Sequence, residues 1–517
     1  MSSSKSYPAD RYNNLRSSLP MMFLAFLNLR KKEEATINFH AHRLALIKNA
    51  LSPIRTLPIE ILSLIFQYYI QHCRDADVGL DYPNWDESIE LNQLYYQCLP
   101  PAVLLSHVCS SWWRIALHLP SIWTYFPIYA MPENQRMPDQ SLLEAWLKRS
   151  DPLCVDLDIK TYNDENTLQA SYLDCLLPSS ARWRTLNLRV PYRLLRHLLQ
   201  RTEEILAPEI EMLEINVVGT YPSHPIFSAL KTAHKLREFT FINPRPRADI
   251  WSLFELPTHQ ITVLELSGSI QDPDAARRVI TSCPLLEECF VLLSDYENFP
   301  QFGAPVVLPK LELFFLAFDG VQGSPHFLGA FTMPRLTHLE LQHLRGDREF
   351  HDDIMESISV HLMSLQARSV FRLKFLILCN LVTDQLSADE LLQFLHAVPS
   401  VEELCISKCI VDLKRLAVDL TADPQRKTCA PNLTRISITD DTGDELEEVG
   451  TTVTEMVVSR WKPYHPETDV SDGDVGMIKW PVAKLVDGVY LWVDWPFAES
   501  DIAKLEECNS EGMPLIL

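Results

Sequence analysis

The chain has 517 residues, of which only 14 are glycine, and its formal net charge is −22. No two glycines lie closer than three positions apart, so the sequence has neither a glycine-rich phosphate loop nor a G-x-S-x-G nucleophile elbow. Their absence argues against nucleotide-dependent enzymes and α/β-hydrolases, because both motifs need closely spaced residues that adopt positive φ freely. The acidic balance also argues against nucleic acids, which require a cationic surface, so we expect no nucleic-acid partner.

The spacing of cysteine and histidine predicts no metal site, and we expect no cofactor. The 12 cysteines contain no C-x-x-C pair, and Cys405 and Cys409 have no second pair nearby. This usage is typical of a reducing compartment, which favours a cytoplasmic or nuclear protein. The longest apolar run, residues 19–29, is shorter than the roughly 20 residues that span a bilayer. We therefore expect it to pack against the domain that follows, with no membrane partner.

The chain begins with a variable segment and a leading helix. Residues 1–32 start polar and rich in serine, which predicts disorder. Residues 33–52 carry apolar side chains at helical spacing, and Ser52-Pro53 is expected to end that helix.

Residues 53–130 are predicted to form a small all-α module. A helix begins at Leu57-Pro58, since proline is favoured in the first turn. Its apolar stripe consists of Ile61, Leu62, Ile65, Phe66 and Tyr69. Residues 71–99 hold six acidic residues and one arginine and are interpreted as an inserted loop. Helical spacing then returns in a second helix at Leu104, Val108, Trp112, Ile115 and Leu119.

A short motif recurs through residues 140–517: apolar, two residues, apolar, one residue, apolar. Its clear copies begin at Trp183, Ile210, Leu236, Ile261, Leu286, Leu311, Leu336, Leu373, Val401 and Leu433. The five starts from position 236 to position 336 are each 25 residues apart. Such a period is the signature of leucine-rich repeats, in which stacked neighbours bury the apolar residues of each short strand. The sequence therefore predicts an α/β solenoid with parallel strands on the concave side and helices on the convex side.

The repeats depart from the standard pattern in their turns and at their end. The usual asparagine or cysteine, three positions after the last apolar residue, is present only as Cys409. From about residue 441 the repeats become atypical, as terminal repeats that cap a stack often are. There we expect helices over 444–461 and 501–508, and strands over 486–491 and 514–517.

The helical module resembles an F-box. The residues that carry the resemblance are Leu57-Pro58-x-Glu60-Ile61-Leu62-x-x-Ile65-Phe66 and, after the insertion, Leu105-Ser106-x-Val108-Cys109-x-x-Trp112-x-Arg114-Ile115-Ala116. The layout of residues 33–517 is similar to that of fungal F-box/leucine-rich-repeat proteins, which commonly carry a helix like the one at 143–147 ahead of a degenerate repeat horseshoe.

This resemblance implies a non-enzymatic substrate adaptor of an SCF-type E3 ubiquitin ligase. In that family the F-box docks on a Skp-family subunit, and the repeats hold a protein substrate. Carried over by motif, the docking residues are Leu57, Pro58, Ile61, Leu62, Ile65 and Phe66, with Val108 and Trp112 in or beside the interface. The alternative is that Ile61, Ile65, Trp112 and Trp123 form the core of a small helical domain. We favour docking for Leu57 and Pro58, and a core role for Trp112 and Trp123.

The residues between the inward apolar positions should face the concave side and bind the substrate. They include Glu214, Glu265, Phe290, Phe315 and Glu340. Exposed phenylalanine beside glutamate would suit a partner with apolar and basic groups. In the alternative interpretation, the two phenylalanines belong to a shifted register or are covered by the chain itself.

Two other functions stay open. The acidic insertion at 71–99 is compatible with a repeat scaffold that binds proteins but has lost its adaptor and any ubiquitin-ligase role. An enzyme would need a catalytic constellation, and the sequence shows no metal-ligand spacing, no phosphate loop and no nucleophile elbow.

Overall fold

In this computed structural model the chain divides into two compact units. The first holds the described residues up to 78 together with 101–119, and the second holds Pro100 and everything described from Pro120 onward. The described residues are 39–40, 43–44, 53–78, 100–130, 140–161, 169–201, 207–218, 233–243, 256–270, 273–294, 302–319, 324–344, 358–381, 387–409, 411–423, 427–440, 447–462, 482–493 and 496–517.

The α-helices of the first unit whose bounds are described are α1 (Ile59–Val78), α2 (Pro101–His107) and α3 (Ser110–Leu117). As predicted, α1 begins directly after Pro58, whose carbonyl accepts a hydrogen bond from the Leu62 N–H at 3.1 Å. The helix continues to Val78, so residues 71–78 are not part of a loop, while 79–99 lie outside the described residues. Of the leading helix, only 39–40 and 43–44 are described, and they are helical.

The second predicted helix is in fact two, α2 and α3. Cys109 adopts an extended backbone with φ −163° and ψ 168°, and its Sγ accepts a hydrogen bond from the Trp112 N–H at 3.5 Å. The thiol thereby caps α3 in the place where serine, threonine or aspartate usually stands. Because cysteine is not a recognised cap, the apolar spacing through Val108 concealed this break.

The second unit is organised around one parallel sheet of 14 strands, whose order in the sheet is their order in the chain. All ten predicted motifs form strands, and the three apolar residues of each motif are buried. The strands are β1 (Tyr125–Ala130), β2 (Val155–Thr161), β3 (Trp183–Pro191), β4 (Met212–Val218), β5 (Glu238–Asn243), β6 (Val263–Ile270), β7 (Glu288–Ser294), β9 (Leu313–Asp319), β11 (His338–His343), β12 (Phe375–Cys379), β13 (Glu403–Ser407), β14 (Arg435–Asp440), β15 (Gly488–Val493) and β16 (Leu515–Ile516). Two further strands, β8 (Val306–Val307) and β10 (Phe331–Thr332), pair separately in parallel.

Nine α-helices are described in the second unit: α4 (Gln140–Ser150), α5 (Ala170–Leu176), α6 (Tyr192–Gln200), α7 (Pro273–Thr281), α8 (Ile358–Ser369), α9 (Ala388–Ala397), α10 (Leu413–Leu420), α11 (Glu447–Trp461) and α12 (Glu499–Ser510). Between β5 and β6, and between β9 and β11, the described return residues form 3₁₀ turns in place of an α-helix, at Thr258–Gln260 and Ser324–Ala330. The arrangement of successive parallel strands joined by return segments is that of an α/β solenoid.

The sheet starts earlier than the sequence predicts. Strand β1 lies within the segment assigned to the helical module, and β1 and β2 both precede the first clear motif. Strand β2 alternates apolar residues with Asp156, Asp158 and Lys160, yet every one of its side chains is buried. A strand buried on both faces normally shows a continuous apolar run, so its charged residues concealed it.

In the C-terminal cap the predicted strand and last helix are present with shifted ends, and the first buried apolar residue lies one position earlier than predicted. Leu485 is fully buried ahead of β15, whereas Val486, the expected first apolar residue, is 54 % exposed. Gly488 follows with φ +115°, a left-handed conformation that changes the direction of the chain as it enters the strand. Lys462, directly after α11, has its Nζ 2.9 Å from carboxylate oxygens of Glu507 on α12 and of Glu511 directly after α12.

The turns after β12 and β13 each contain a side chain that donates a hydrogen bond to a backbone carbonyl of a neighbouring strand. As expected for its position, Cys409 is buried, and its Sγ–H donates to the carbonyl of Leu378 at 3.3 Å. Asn380 has φ +57°, and its Nδ2 donates to the carbonyl of His343 at 3.0 Å. Asparagine tolerates this backbone conformation better than most residues. Asn380 stands two positions after the last apolar residue, so it does not fit the standard pattern, which places this residue three positions after it.

Candidate functional site

Helix α1 separates its apolar residues into a buried face and an exposed face. Leu62 and Phe66 are only 5 % and 0 % exposed, whereas Ile61 and Ile65 are 43 % and 39 % exposed. Phe66 packs on Trp112 with ring centroids 4.8 Å apart. Phe66 is therefore a core residue, which corrects its predicted docking role, whereas the largely buried Leu62 contributes one wall of the groove described below. Trp112 is half-buried, so its ring packs on the core residue Phe66 while part of it stays accessible.

The exposed face of α1 holds more apolar residues than the motif indicated. Besides Ile61 and Ile65, it includes Leu64 and Tyr68, which are 59 % and 78 % exposed. The four positions follow the i, i+3, i+4, i+7 spacing that aligns side chains on one helix face. A row of large apolar side chains open to solvent is unusual unless a partner covers it. The signal was in the sequence, since the run 59–70 is apolar at too many positions for a single buried stripe.

The other predicted docking residues lie at the start of α1 and after α2. Pro58 is exposed, Leu57 is half-buried, and Val108 is 54 % exposed. Trp113, which the motif left out, is 51 % exposed on α3. These side chains add to the exposed apolar residues of the first unit outside α1.

A groove of about 530 Å³ runs between the start of α1 and helix α3. Leu57, Leu62, Trp112 and Ile115 contribute apolar walls to it. Arg114 contributes a cationic group. The volume of the groove falls within the range of about 300–1,000 Å³ that is usual for ligand pockets. The groove can accept one or two apolar side chains of a partner.

Trp123, expected in the core of the helical module, is instead a core residue of the second unit. It is 1 % exposed, and its ring meets that of Trp146 edge to face with centroids 5.8 Å apart. The Arg149 guanidinium lies 4.7 Å from the ring centroid of Trp123. Trp123 is thus a core residue as predicted, but in the core of the second unit and not in that of the helical module.

All five predicted substrate residues lie in one row across the outer face of the sheet. Strand pairing places them in the order Glu214, Thr240, Glu265, Phe290, Phe315 and Glu340 from β4 to β11. Their neighbours along each strand are the buried motif residues, so the register is the predicted one and the shifted alternative is wrong. The five side chains are half-buried.

The two phenylalanines of this row form an aromatic pair. Their ring centroids are 6.0 Å apart with an interplanar angle of 39°. On one side, Glu265 accepts hydrogen bonds from the hydroxyls of Ser267 at 2.8 Å and Thr240 at 3.4 Å. These bonds orient its carboxylate. On the other side, burial raises the pKa of Glu340.

A second row, two residues earlier on each strand, adds further carboxylates. It includes Glu238 and Glu288, which lie two strands apart. Burial raises the pKa of Glu238, and the nearby Glu288 and Glu211 raise it further. His338 in the same row stacks on Phe375 with centroids 3.9 Å apart, and burial lowers its pKa. His338 is therefore neutral near pH 7, and this part of the face is acidic.

No family model matches this chain, and no curated protein matches it. The two surfaces have to be interpreted from their own chemistry.

Neither a metal centre nor an activated thiol is evident in the described part of the chain. There, no group of three or more His, Cys, Asp or Glu side chains is placed to hold a metal ion. Burial raises the pKa of Cys283 to about 11 and those of Cys379, Cys409 and Cys429 to about 12. These four thiols stay protonated at neutral pH, which makes them poor nucleophiles. Among the helices described, none is long and apolar enough to cross a membrane.

Proposed function

We propose that this protein is the substrate-recognition adaptor of an SCF-type E3 ubiquitin ligase. Its first unit docks on a Skp-family subunit, and the outer face of its sheet binds the protein substrate. The observation that carries the proposal is the exposed apolar face of α1, beside the groove at Leu57-Pro58. Both features lie within the segment whose sequence resembles an F-box.

The docking surface has the composition of a protein-binding site. Full burial of a leucine or isoleucine side chain contributes about 1.5–3 kcal/mol before the costs of association. The half-exposed residues Ile61 and Ile65 would each gain part of that amount when a partner covers them. Pro58 is exposed and its φ is restricted, so little conformational entropy is lost when it is buried.

The core of the first unit supports this surface. Leu62 and Phe66 lie one residue after Ile61 and Ile65, and they anchor the opposite side of α1 on the module core. Phe66 in particular is locked against Trp112. A helix that is fixed in this way presents its outer residues in one geometry, which reduces the entropy lost on binding.

Affinity purification of the full chain, with the proteasome blocked, tests the proposal. Wild type should recover a Skp-family subunit, and Ile61→Ala/Ile65→Ala should lose it while keeping the proteins that bind through the repeats. The control is Glu455→Ala/Glu506→Ala, two exposed positions on α11 and α12 of the second unit. Equal recovery of the Skp-family subunit by all three proteins would refute the proposed docking site. A wild-type chain that recovers none would favour the repeat scaffold without a ligase role.

A further inference from the structure

The central strands of the sheet carry an apolar centre between carboxylates, which we call the acidic aromatic face. It consists of Glu265, Glu288, Phe290, Phe315 and Glu340 on β6, β7, β9 and β11. Phe290 and Phe315 are half-buried, so part of each ring is open to contact. Aromatic side chains that are partly exposed and held in place are frequent anchors of protein interfaces.

The spacing of this face follows from the strand register. Glu265 pairs with Phe290 on the adjacent strand, and Phe315 pairs with Glu340 on the next strand beyond. Adjacent strands lie about 4.8 Å apart, so the two carboxylates are separated by three intervals, or about 14 Å. The aromatic pair occupies the middle of that distance.

The outward side chains around this face have one sign of charge. From β4 to β11 the outward residues whose side chains are described include Glu214, Glu238, Glu265, Glu288 and Glu340 but no lysine or arginine. Cations are described in the turns that lead into β5, β9, β11 and β12, at Arg237, Lys310, Arg335 and Lys374. Arg237 donates to the carbonyl of Gln260 at 2.9 Å, and Lys374 Nζ lies 3.1 Å from a Glu402 carboxylate oxygen. A partner that brings positive charge would therefore be attracted to this face.

We propose that the acidic aromatic face binds an extended basic segment of a protein, in which an apolar residue lies midway between two Lys or Arg residues four positions apart. An extended chain advances about 3.3 Å per residue, so four residues span about 13 Å, close to the separation of Glu265 and Glu340. The apolar residue then lies on the pair Phe290 and Phe315. The inference rests on the proposed function, since it names the chemical class of the substrate.

Other occupants fit this face less well. Nucleic acid and acidic peptides would be repelled by the carboxylates. The chain itself contains one basic segment, residues 1–56, with nine Lys or Arg and three Asp or Glu. Its basic cluster Arg30-Lys31-Lys32 is the internal competitor that an experiment has to separate from an external partner.

The test uses the full-length chain and a fluorescein-labelled peptide with the centre Arg-Ala-Leu-Ala-Arg between Gly-Ser ends, followed by fluorescence anisotropy. Wild type should bind it, and Glu265→Lys/Glu340→Lys should bind at least tenfold more weakly. The charge-inverted peptide, Glu-Ala-Leu-Ala-Glu, should bind that variant better than wild type. Replacing the peptide leucine by serine should weaken binding to wild type. The matched control, Glu455→Lys/Glu506→Lys, reverses two exposed charges on α11 and α12 and should bind as wild type does.

Three outcomes would overturn the inference. In the first, no binding to wild type is detected. In the second, Glu265→Lys/Glu340→Lys binds the basic peptide as tightly as wild type. In the third, binding appears only in Arg30→Gln/Lys31→Gln/Lys32→Gln, which would mean that the chain's own segment occupies the face. Binding of a purified Skp-family subunit is measured on the same preparations, so failure of the peptide test with adaptor binding intact refutes the substrate class and leaves the proposed function standing.

Discussion

Arg460 on α11 is a fully buried cation that is held by backbone carbonyls. Its guanidinium donates to the carbonyls of Leu420 at 2.5 Å, Cys429 at 2.6 Å and Ala430 at 3.1 Å. Burial lowers its pKa to about 10, so the group remains charged at neutral pH. All three carbonyls lie between the end of α10 and the start of β14, which makes this one side chain the link between α11 and the last regular repeat.

Replacing Arg460 by methionine should destabilise the protein strongly. The substitution leaves three buried carbonyls without their donor, and a hydrogen bond to a charged group contributes about 1.5–3 kcal/mol. We expect the free energy of unfolding to fall by about 3 kcal/mol, measured by urea denaturation. The control is Arg415→Met on α10, where the exposed guanidinium pairs with Asp389 and Asp419 at 3.3 and 3.4 Å. Such surface pairs contribute less than about 1 kcal/mol, so equal losses in the two variants would contradict this role.

Glu340 predicts a dependence of stability on pH. Its pKa is raised by burial, so the folded state penalises the carboxylate and binds a proton before the unfolded state does. The destabilising effect is therefore present at pH 7 and disappears as the pH falls below the ordinary pKa of glutamate. We expect Glu340→Gln to raise the urea midpoint at pH 7 but not at pH 3.5. Glu312→Gln reports the effect of removing one exposed carboxylate nearby. A Glu340→Gln variant that is no more stable than wild type at pH 7 would contradict the burial penalty.

At the scale of elements, helix α9 shows how a local sequence signal becomes a tertiary contact. Ser387 caps the helix by accepting from the Glu390 N–H, and Glu390 in turn accepts from the Ser387 N–H at 3.0 Å. The other oxygen of Glu390 accepts from Ser359 on α8 at 2.8 Å. The same carboxylate thus completes the capping box and joins two neighbouring return helices.

Removal of this cap should have a measurable cost. Ser387→Ala is expected to lower the free energy of unfolding by about 1 kcal/mol, the usual contribution of an N-cap side chain. The opposite change is available at α12, where Ala498 has a suitable extended backbone and makes no cap hydrogen bond. Ala498→Ser should therefore raise stability by up to about 1 kcal/mol. Thermal denaturation of both variants checks the pair, and a stabilised Ser387→Ala would show that the cap is not formed.

The strands were predictable because the apolar positions of each motif identify which face of the strand is buried. An apolar residue at every second position specifies both the strand and the side that faces the core, so the outer row from Glu214 to Glu340 followed directly. Two kinds of error occurred. In one kind, a residue type hid the structure that it forms: buried charged residues hid strand β2, and an uncommon cysteine cap hid the break between α2 and α3. The other concerned the exposed side of α1, since helical spacing identifies apolar positions without showing how many of them the core can cover.

At the scale of the whole molecule, strand order follows chain order through all 14 strands of the main sheet. Every repeat in such an array is stabilised by its two neighbours, and stability is a sum of repeat and interface contributions. Leu264 on β6 is fully buried and lies in register between Phe239 and Cys289. Its truncation should therefore weaken the adjacent strands more than distant ones.

Hydrogen–deuterium exchange of Leu264→Ala tests this locality. We expect a loss of about 2–5 kcal/mol in local stability, seen as faster amide exchange in β5, β6 and β7, with β14 and β15 close to wild type. Val486→Ala, at a position 54 % exposed, serves as the control and should leave all strands unchanged. Uniform acceleration across the sheet would show that the array unfolds as a single cooperative unit.

The proposed function assigns different roles to the two units: adaptor docking on α1 and substrate binding on the sheet. The most direct test of the adaptor role is the affinity of the full-length chain for a purified Skp-family subunit, measured by isothermal titration calorimetry. Wild type and Glu455→Ala/Glu506→Ala should bind alike. Ile61→Ala/Ile65→Ala should bind at least tenfold more weakly, a loss of about 1.4 kcal/mol or more, with an unchanged circular dichroism spectrum. The same affinity for all three proteins, or no binding by wild type, would contradict the central claim.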